Sequence, residues 1–334
     1  MSMRTTTILL VLAAGCGGGD DGGGDDLDAG GGGGDGGASK WAPAPTIPGG
    51  AIQETAAVAL DGKVWVLGGL TSFTAYSNKV WVLDTAAGSW AAGPDLPMAV
   101  HHANAAVVGD SIYIVGALST GFNAIGVVWR HTPGVDSGWV ARTSMPAGTQ
   151  RGASIAGTIG GLVYVAGGYR GGAAVTDVSA YDPANDQWDD AVADLPASRD
   201  HGCGGVIADK LYVAGGRMAD IGSTTNTVFE LTPGGAWTTR APMPTGRGGT
   251  ACGVIDGRLV VVGGEGNPEA SSGVFPHNEA YTAATDSWET LEPMRTPRHG
   301  MQAAAWDGVL YVPGGATTQA LGAVDVVETY DAGD

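Results

Sequence analysis

One short pattern dominates this 334-residue chain: an apolar run that stops on a pair of glycines. The clearest copy is Asp209-Lys210-Leu211-Tyr212-Val213-Ala214-Gly215-Gly216. Similar runs end at Gly68-Gly69, Gly167-Gly168, Gly263-Gly264 and Gly314-Gly315, and a degenerate copy ends at Gly116-Ala117. Successive first glycines are 48, 51, 48, 48 and 51 residues apart. Self-similarity at a fixed period means one supersecondary unit packed against copies of itself. A turn dipeptide stands ahead of each run: Asp61-Gly62, Gly109-Asp110, Gly160-Gly161, Ala208-Asp209, Asp256-Gly257 or Asp307-Gly308. Such dipeptides suit a tight hairpin. Each unit therefore has one strand before the turn and one after it.

A third strand follows a variable loop, as in Val80-Trp81-Val82-Leu83-Asp84, Val178-Ser179-Ala180-Tyr181-Asp182 and Val327-Glu328-Thr329-Tyr330-Asp331. A fourth opens on Trp90, Trp139, Trp188, Trp237 or Trp288 and runs into a proline loop such as Asp95-Leu96-Pro97. The chain has 59 glycines, a level that weakens long helices, and no window holds a helical apolar period. Four strands per unit and six units predict an all-β, six-bladed β-propeller. The order apolar strand, Gly-Gly, aromatic strand, Trp, Leu/Met-Pro, Arg resembles the kelch repeat over residues 40–334. The second copy departs most, with Ala117 for a glycine and Trp129 where other copies carry Tyr or Leu.

The last repeat ends about where its own tryptophan would fall. Trp41 lies 27 residues before Gly68, matching the 26 to 28 residues by which the other tryptophans precede a glycine pair. The N-terminal strand around Trp41 is thus expected to close the last blade as its outer strand, leaving no open edge. The tryptophan and glycine columns are expected to be scaffold.

Ahead of the repeats, residues 1–16 read as an export signal: Arg4, an apolar Ile8-Leu9-Leu10-Val11-Leu12, then Ala13-Ala14-Gly15-Cys16. This resembles the lipobox of bacterial lipoproteins, with Leu12 one place further back than that family's leucine. The resemblance implies lipidation of Cys16 and a lipid-anchored place in the bacterial cell envelope. Residues 17–39 are almost only Gly and Asp and form a disordered tether. The net charge of -18 argues against nucleic acid as a partner. Two body cysteines do not make a disulfide framework for a chain this size, and Cys203 and Cys252 are expected to be buried thiols.

One column is a candidate for function. Sixteen residues before each glycine pair stand Ile52, Val100, Arg151, Arg199, Arg247 and Arg298. Two places on stand Glu54, His102, Ala153, His201, Gly249 and Gly300. Residues two apart on a strand share a side, so both sets are expected at one mouth of the channel. In kelch domains that mouth binds ligands and partner peptides, often through such arginines. The resemblance carries this role to Arg151, Arg199, Arg247 and Arg298, and the guanidinium fork suits carboxylate or phosphate. Bracing of neighbouring loop carbonyls is the structural alternative for these arginines. Tyr169, Arg170 and Arg217 follow glycine pairs and are expected at the same mouth.

The expected partner is an anionic ligand, an acidic peptide or a glycan, bound by a monomer. No cofactor or metal is expected. A two-His, one-Glu set of His102, His201 and Glu54 is conceivable; the copper site of the related galactose oxidase also needs tyrosine ligands and a cysteine cross-linked to one, whereas Cys203 and Cys252 read as buried thiols. No Gly-x-Ser-x-Gly, HExxH or phosphate-cradling loop appears. The chain is read as a binding module. The alternative is a carbohydrate-active enzyme, sugar-acid-epimerase-like or galactose-oxidase-like, using the same mouth.

Overall fold

The structure is a computed structural model that describes residues 39–218 and 220–333. The export signal, Cys16 and almost all of the tether lie outside the described residues. The described chain forms six four-stranded antiparallel sheets. Their inner strands are Ala56–Leu60, Ala105–Val108, Ile155–Ile159, Cys203–Ile207, Ala251–Ile255 and Ala304–Trp306. Blades 1 to 6 are named in that order. The expected six-bladed propeller is present, and its hairpins are built as the dipeptides predicted. Asp61 and Gly62 have φ of 49° and 69°, and Asp256 and Gly257 have 50° and 71°. Positive φ at both central residues gives the turn the right-handed twist of its flanking strands.

The core is distributed rather than central. Six apolar clusters fill the six interfaces between neighbouring sheets. Between blades 1 and 2, for example, Trp65, Leu67 and Val80 pack on Ile112, Ile114 and Trp129. The glycine pairs sit where one blade meets the entry to the next. Gly68 and Gly69 have φ of 62° and 108°, and a Cβ on Gly68 would come within 2.5 Å of the Val100 carbonyl oxygen. Freed of that clash, the Gly69 N–H donates to that carbonyl at 2.8 Å. Gly168, Gly216, Gly264 and Gly315 repeat the bond to Arg199, Arg247, Arg298 and Ile52.

Blade 2 explains its own departure. Ala117 does not take up positive φ, so the strand does not stop. It runs on as Ser111–Ser119 and pairs with an equally long Asn123–His131. This long hairpin carries Phe122 at its tip.

The outer strands are tied by their tryptophans. Each indole N–H donates to a carbonyl of the preceding blade: Trp90 to Pro45, Trp139 to Pro94, Trp188 to Thr143, Trp237 to Ala193 and Trp288 to Ala241, at 2.8 to 3.0 Å. Trp41 completes the set. Its strand, Trp41–Ala44, pairs antiparallel with Val327–Asp331 in the register Trp41 to Tyr330, and its indole donates to the Glu292 carbonyl at 2.8 Å. At 2% exposure it is far more buried than the partly exposed Trp90.

The cysteines correct the expectation of free thiols. Cys203 and Cys252 form a disulfide, with Cα atoms 6.0 Å apart, that ties the inner strand of blade 4 to that of blade 5. The expectation failed because a framework of bridges was sought where a single inter-blade bridge suffices. Closing a loop of 49 residues contributes on the order of 4 kcal/mol in the chain-entropy account.

Replacing Trp41 with Ala should destabilise the protein by about 3–5 kcal/mol in urea unfolding, and Trp90→Ala by clearly less. Equal losses at the two positions would show that the closing strand has no special weight.

Candidate ligand-binding mouth

The second column of candidate residues forms the throat of the propeller. Glu54, His102, Ala153, His201, Gly249 and Gly300 all have left-handed backbones, with φ of 53°, 50°, 53°, 51°, 62° and 64°. This conformation turns each peptide along the circumference, and the six units bond head to tail. The N–H of His102 donates to Glu54, Ala153 to His102, His201 to Ala153, Gly249 to His201 and Gly300 to Gly249, at 2.8 to 3.0 Å. Glu54 closes the circle by donating to Gly300. The side chains of this ring line the axial cavity.

The first column goes elsewhere, which corrects the expected Arg-lined mouth. Arg151, Arg199, Arg247 and Arg298 are each 0% exposed. Arg151 donates to the Gly167, Thr149 and Val165 carbonyls at 2.9, 2.7 and 2.8 Å. Arg247 and Arg298 repeat this on Gly263 and Gly314 and add ion pairs to Glu279 at 2.5 Å and Glu328 at 2.7 Å. Arg199 bonds Gly215 and Thr227 and lies 4.4 Å over the Phe229 ring. Each arginine clips the segment entering its inner strand to the next two strands of its own blade. The physical reason is the left-handed residue two places on. It breaks the strand alternation, so the arginine and the ring residue do not share a side. Burial pushes Arg151 and Arg199 down to about 10, still charged at neutral pH.

Five of the remaining candidates do meet. Glu54 Oε2 lies 3.1 Å from His102 Nε2. His201 Nδ1 lies 2.6 Å from Asp200 Oδ1. Arg217 bonds Asp200 at 3.1 Å and Glu265 at 2.7 Å and contacts the His201 ring. His299 Nδ1 stands 3.4 Å from the second oxygen of Glu265. Burial, with the repulsion of neighbouring cations, holds His102 well below the usual imidazole range. For Asp200, burial acts upward, but His201 and Arg217 outweigh it and hold the carboxyl below its usual range. Tyr169 lines an adjoining hollow with Phe122, Asp200 and Ile221. Arg170 does not line these hollows; it forms a bidentate pair with Asp177 at 2.8 and 2.9 Å.

Above the polar floor is an apolar rim that sequence reasoning missed. Leu70, Phe73, Phe122 and Ile221 line a cavity of about 220 Å³ with Glu54, His102, His201 and Arg217 below them. Phe73 is 51% exposed and lies 6.4 Å from Phe122 between ring centroids. These residues come from loops of unequal length, so no register marks them. The one available signal was Ala117, which predicts a longer hairpin in blade 2.

Two outcomes follow from the buried charges. Glu279→Ala leaves Arg247 uncompensated and should cost about 3–5 kcal/mol in chemical denaturation, with the mouth unchanged. His101 is pushed down by burial to about 4, from 6.5. Between those values the unfolded chain binds a proton that the folded one refuses, so stability falls as pH drops from about 6.5 to about 4. His101→Gln should flatten that slope in unfolding measured across the window; an unaltered slope would exclude His101 as its source.

Comparison with known proteins agrees with this architecture. A model of the Kelch motif matches residues 54–97 and 156–192. Kelch-like protein terF of Aspergillus terreus is 32% identical over 312 residues, 87% of this chain and 68% of that protein. Kelch-like protein 23 of Homo sapiens is 29% identical over 113 residues, 33% of this chain and 20% of that protein. The solved structure of YjhT superposes with a TM-score of 0.71 at 18% identity, covering 85% of this chain and 95% of that one. With its six blades, its glycine-pair register and these matches, the chain belongs to the kelch-repeat family of β-propellers.

Proposed function

We propose that this protein is an exported, membrane-tethered binding module that holds a projecting segment of a protein partner, or a glycan, in its propeller mouth. The observation that carries this reading is the cavity itself: an aromatic and aliphatic rim over a floor of buried, mutually paired charged groups. Ligand sites combine apolar walls with a few placed polar groups, and an exposed phenylalanine such as Phe73 is a natural anchor contact. Glu54, His102, His201, Arg217 and Tyr169 are the polar contacts in this reading. A strongly anionic ligand is no longer favoured. Arg217 is already balanced by Asp200 and Glu265, and the four arginines of the column are buried inside the blades. Export is supported by the Cys203–Cys252 disulfide, since such bonds persist in oxidising compartments. Anchoring through Cys16 rests on the leader sequence alone.

A second reading, turnover of a sugar or sugar acid in the same cavity, is favoured by the closeness of Glu54 and His102. A carboxylate beside an imidazole is a common proton-transfer pair.

The test is a screen of a glycan array and a displayed peptide library with the wild type, Phe122→Ala and Phe73→Ala. Ligands retained by the wild type should be lost or weakened at least about tenfold by the rim variants, as expected when an anchor contact worth about 1.4 kcal/mol or more is removed. Retention by both variants at wild-type strength would place binding elsewhere.

A further inference from the structure

We infer that Glu54, His102 and His201 form a binding site for a divalent transition-metal ion of the zinc or iron(II) class at the throat of the propeller. One donor atom from each residue lies within 4.8 Å of the others. The three come from blades 1, 2 and 4 and are brought together by the ring of left-handed residues, not by local sequence. Two imidazoles and one carboxylate are a donor set that suits zinc and non-haem iron.

The surroundings are those of a ligand set rather than of chance neighbours. A metal-bound histidine commonly gives its other ring N–H to an acceptor that fixes the tautomer. His102 does this. His101 Nε2 lies 3.1 Å from the Ser119 carbonyl oxygen, which only accepts. His101 Nδ1 is then the acceptor, and His102 donates to it through Nδ1–H. His201 Nδ1 lies 2.6 Å from Asp200 Oδ1 and also meets Arg217 Nη2, so two side chains hold this ring in place from behind. His102 is thus left with Nε2, the atom turned to Glu54 Oε2. One nitrogen from each ring and a carboxylate oxygen converge there.

The rest of the ring supplies no side-chain ligand. Ala153, Gly249 and Gly300 occupy its remaining positions. A Cβ on Gly300 would come within 2.5 Å of Glu54 Oε1, so the carboxylate lies over that glycine. Three protein donors lining the axial cavity describe an exchangeable site, not a closed structural one. Uptake of the ion by ligand-free protein does not depend on what the rim holds.

The experiment uses the untagged full chain, stripped with EDTA and titrated with Zn²⁺ by calorimetry, and with Co²⁺ by visible absorption. The wild type should take up one equivalent. Glu54→Gln and His201→Asn should each weaken Zn²⁺ binding at least about tenfold. Asn tolerates the left-handed backbone of position 201, and unfolding in EDTA reports whether each variant is folded. His277→Gln, outside the site, should bind as the wild type does. The proposal fails if the stripped wild type takes up no stoichiometric metal. It also fails if folded Glu54→Gln and His201→Asn both keep wild-type affinity.

Discussion

The circle of six peptide hydrogen bonds at Glu54, His102, Ala153, His201, Gly249 and Gly300 is the constraint from which the rest of the molecule follows. It fixes the radius of the channel, because each blade must present one N–H forward and one carbonyl backward at the same height. Two wider belts share its logic. Glycine N–H groups reach the carbonyls of the next blade, and indole N–H groups reach the carbonyls of the blade before. Each bond is worth only about 0.5–1.5 kcal/mol net. Joined in circles, they cannot be lost singly without opening an interface and its apolar cluster.

Most of this scaffold was legible because it is periodic. Strand, turn and tryptophan recur at fixed offsets, and an offset reveals a missing member, which is how Trp41 could be assigned to blade 6. The site was less legible because its geometry departs from the strand rule. Glu54, His102 and His201 are not residues that announce positive φ; only Gly249 and Gly300 in the same column hinted at it. Treating that column as extended put Arg151 and its equivalents on the wrong side. The disulfide escaped for a related reason. Cys203 and Cys252 stand twelve and eleven residues before their glycine pairs, so they do not share a column, though their strands are neighbours. The rim phenylalanines sit in loops whose lengths carry no register at all.

Function in this fold begins where the repeat is broken. The six ring positions have one backbone geometry but unlike side chains: acid, imidazole, methyl, imidazole and two hydrogens. Likewise the loop of blade 2 is long because one glycine became Ala117. The buried arginines, by contrast, are what keeps the repeats alike, since blades 3, 5 and 6 clip the same carbonyls from the same register. Symmetry is the signature of scaffold in this molecule, and its loss marks the mouth.

The pairing of Trp41 with Tyr330 also orders events in time. Nearly the whole propeller separates these two residues, so the contact between them is the least local in the fold and the costliest in loop closure. Blades 1 to 5 are each made of consecutive strands, as the sheet order records, and these five have all their strands before the chain is finished. Blade 6 is different: its outermost strand, Trp41–Ala44, precedes blade 1 and has nothing to pair with until Val327–Asp331 has been made. Until then the molecule is an open arc with an exposed edge, and the ring can neither hold its throat nor seat a ligand there. The same seam is where a closed propeller would first come apart.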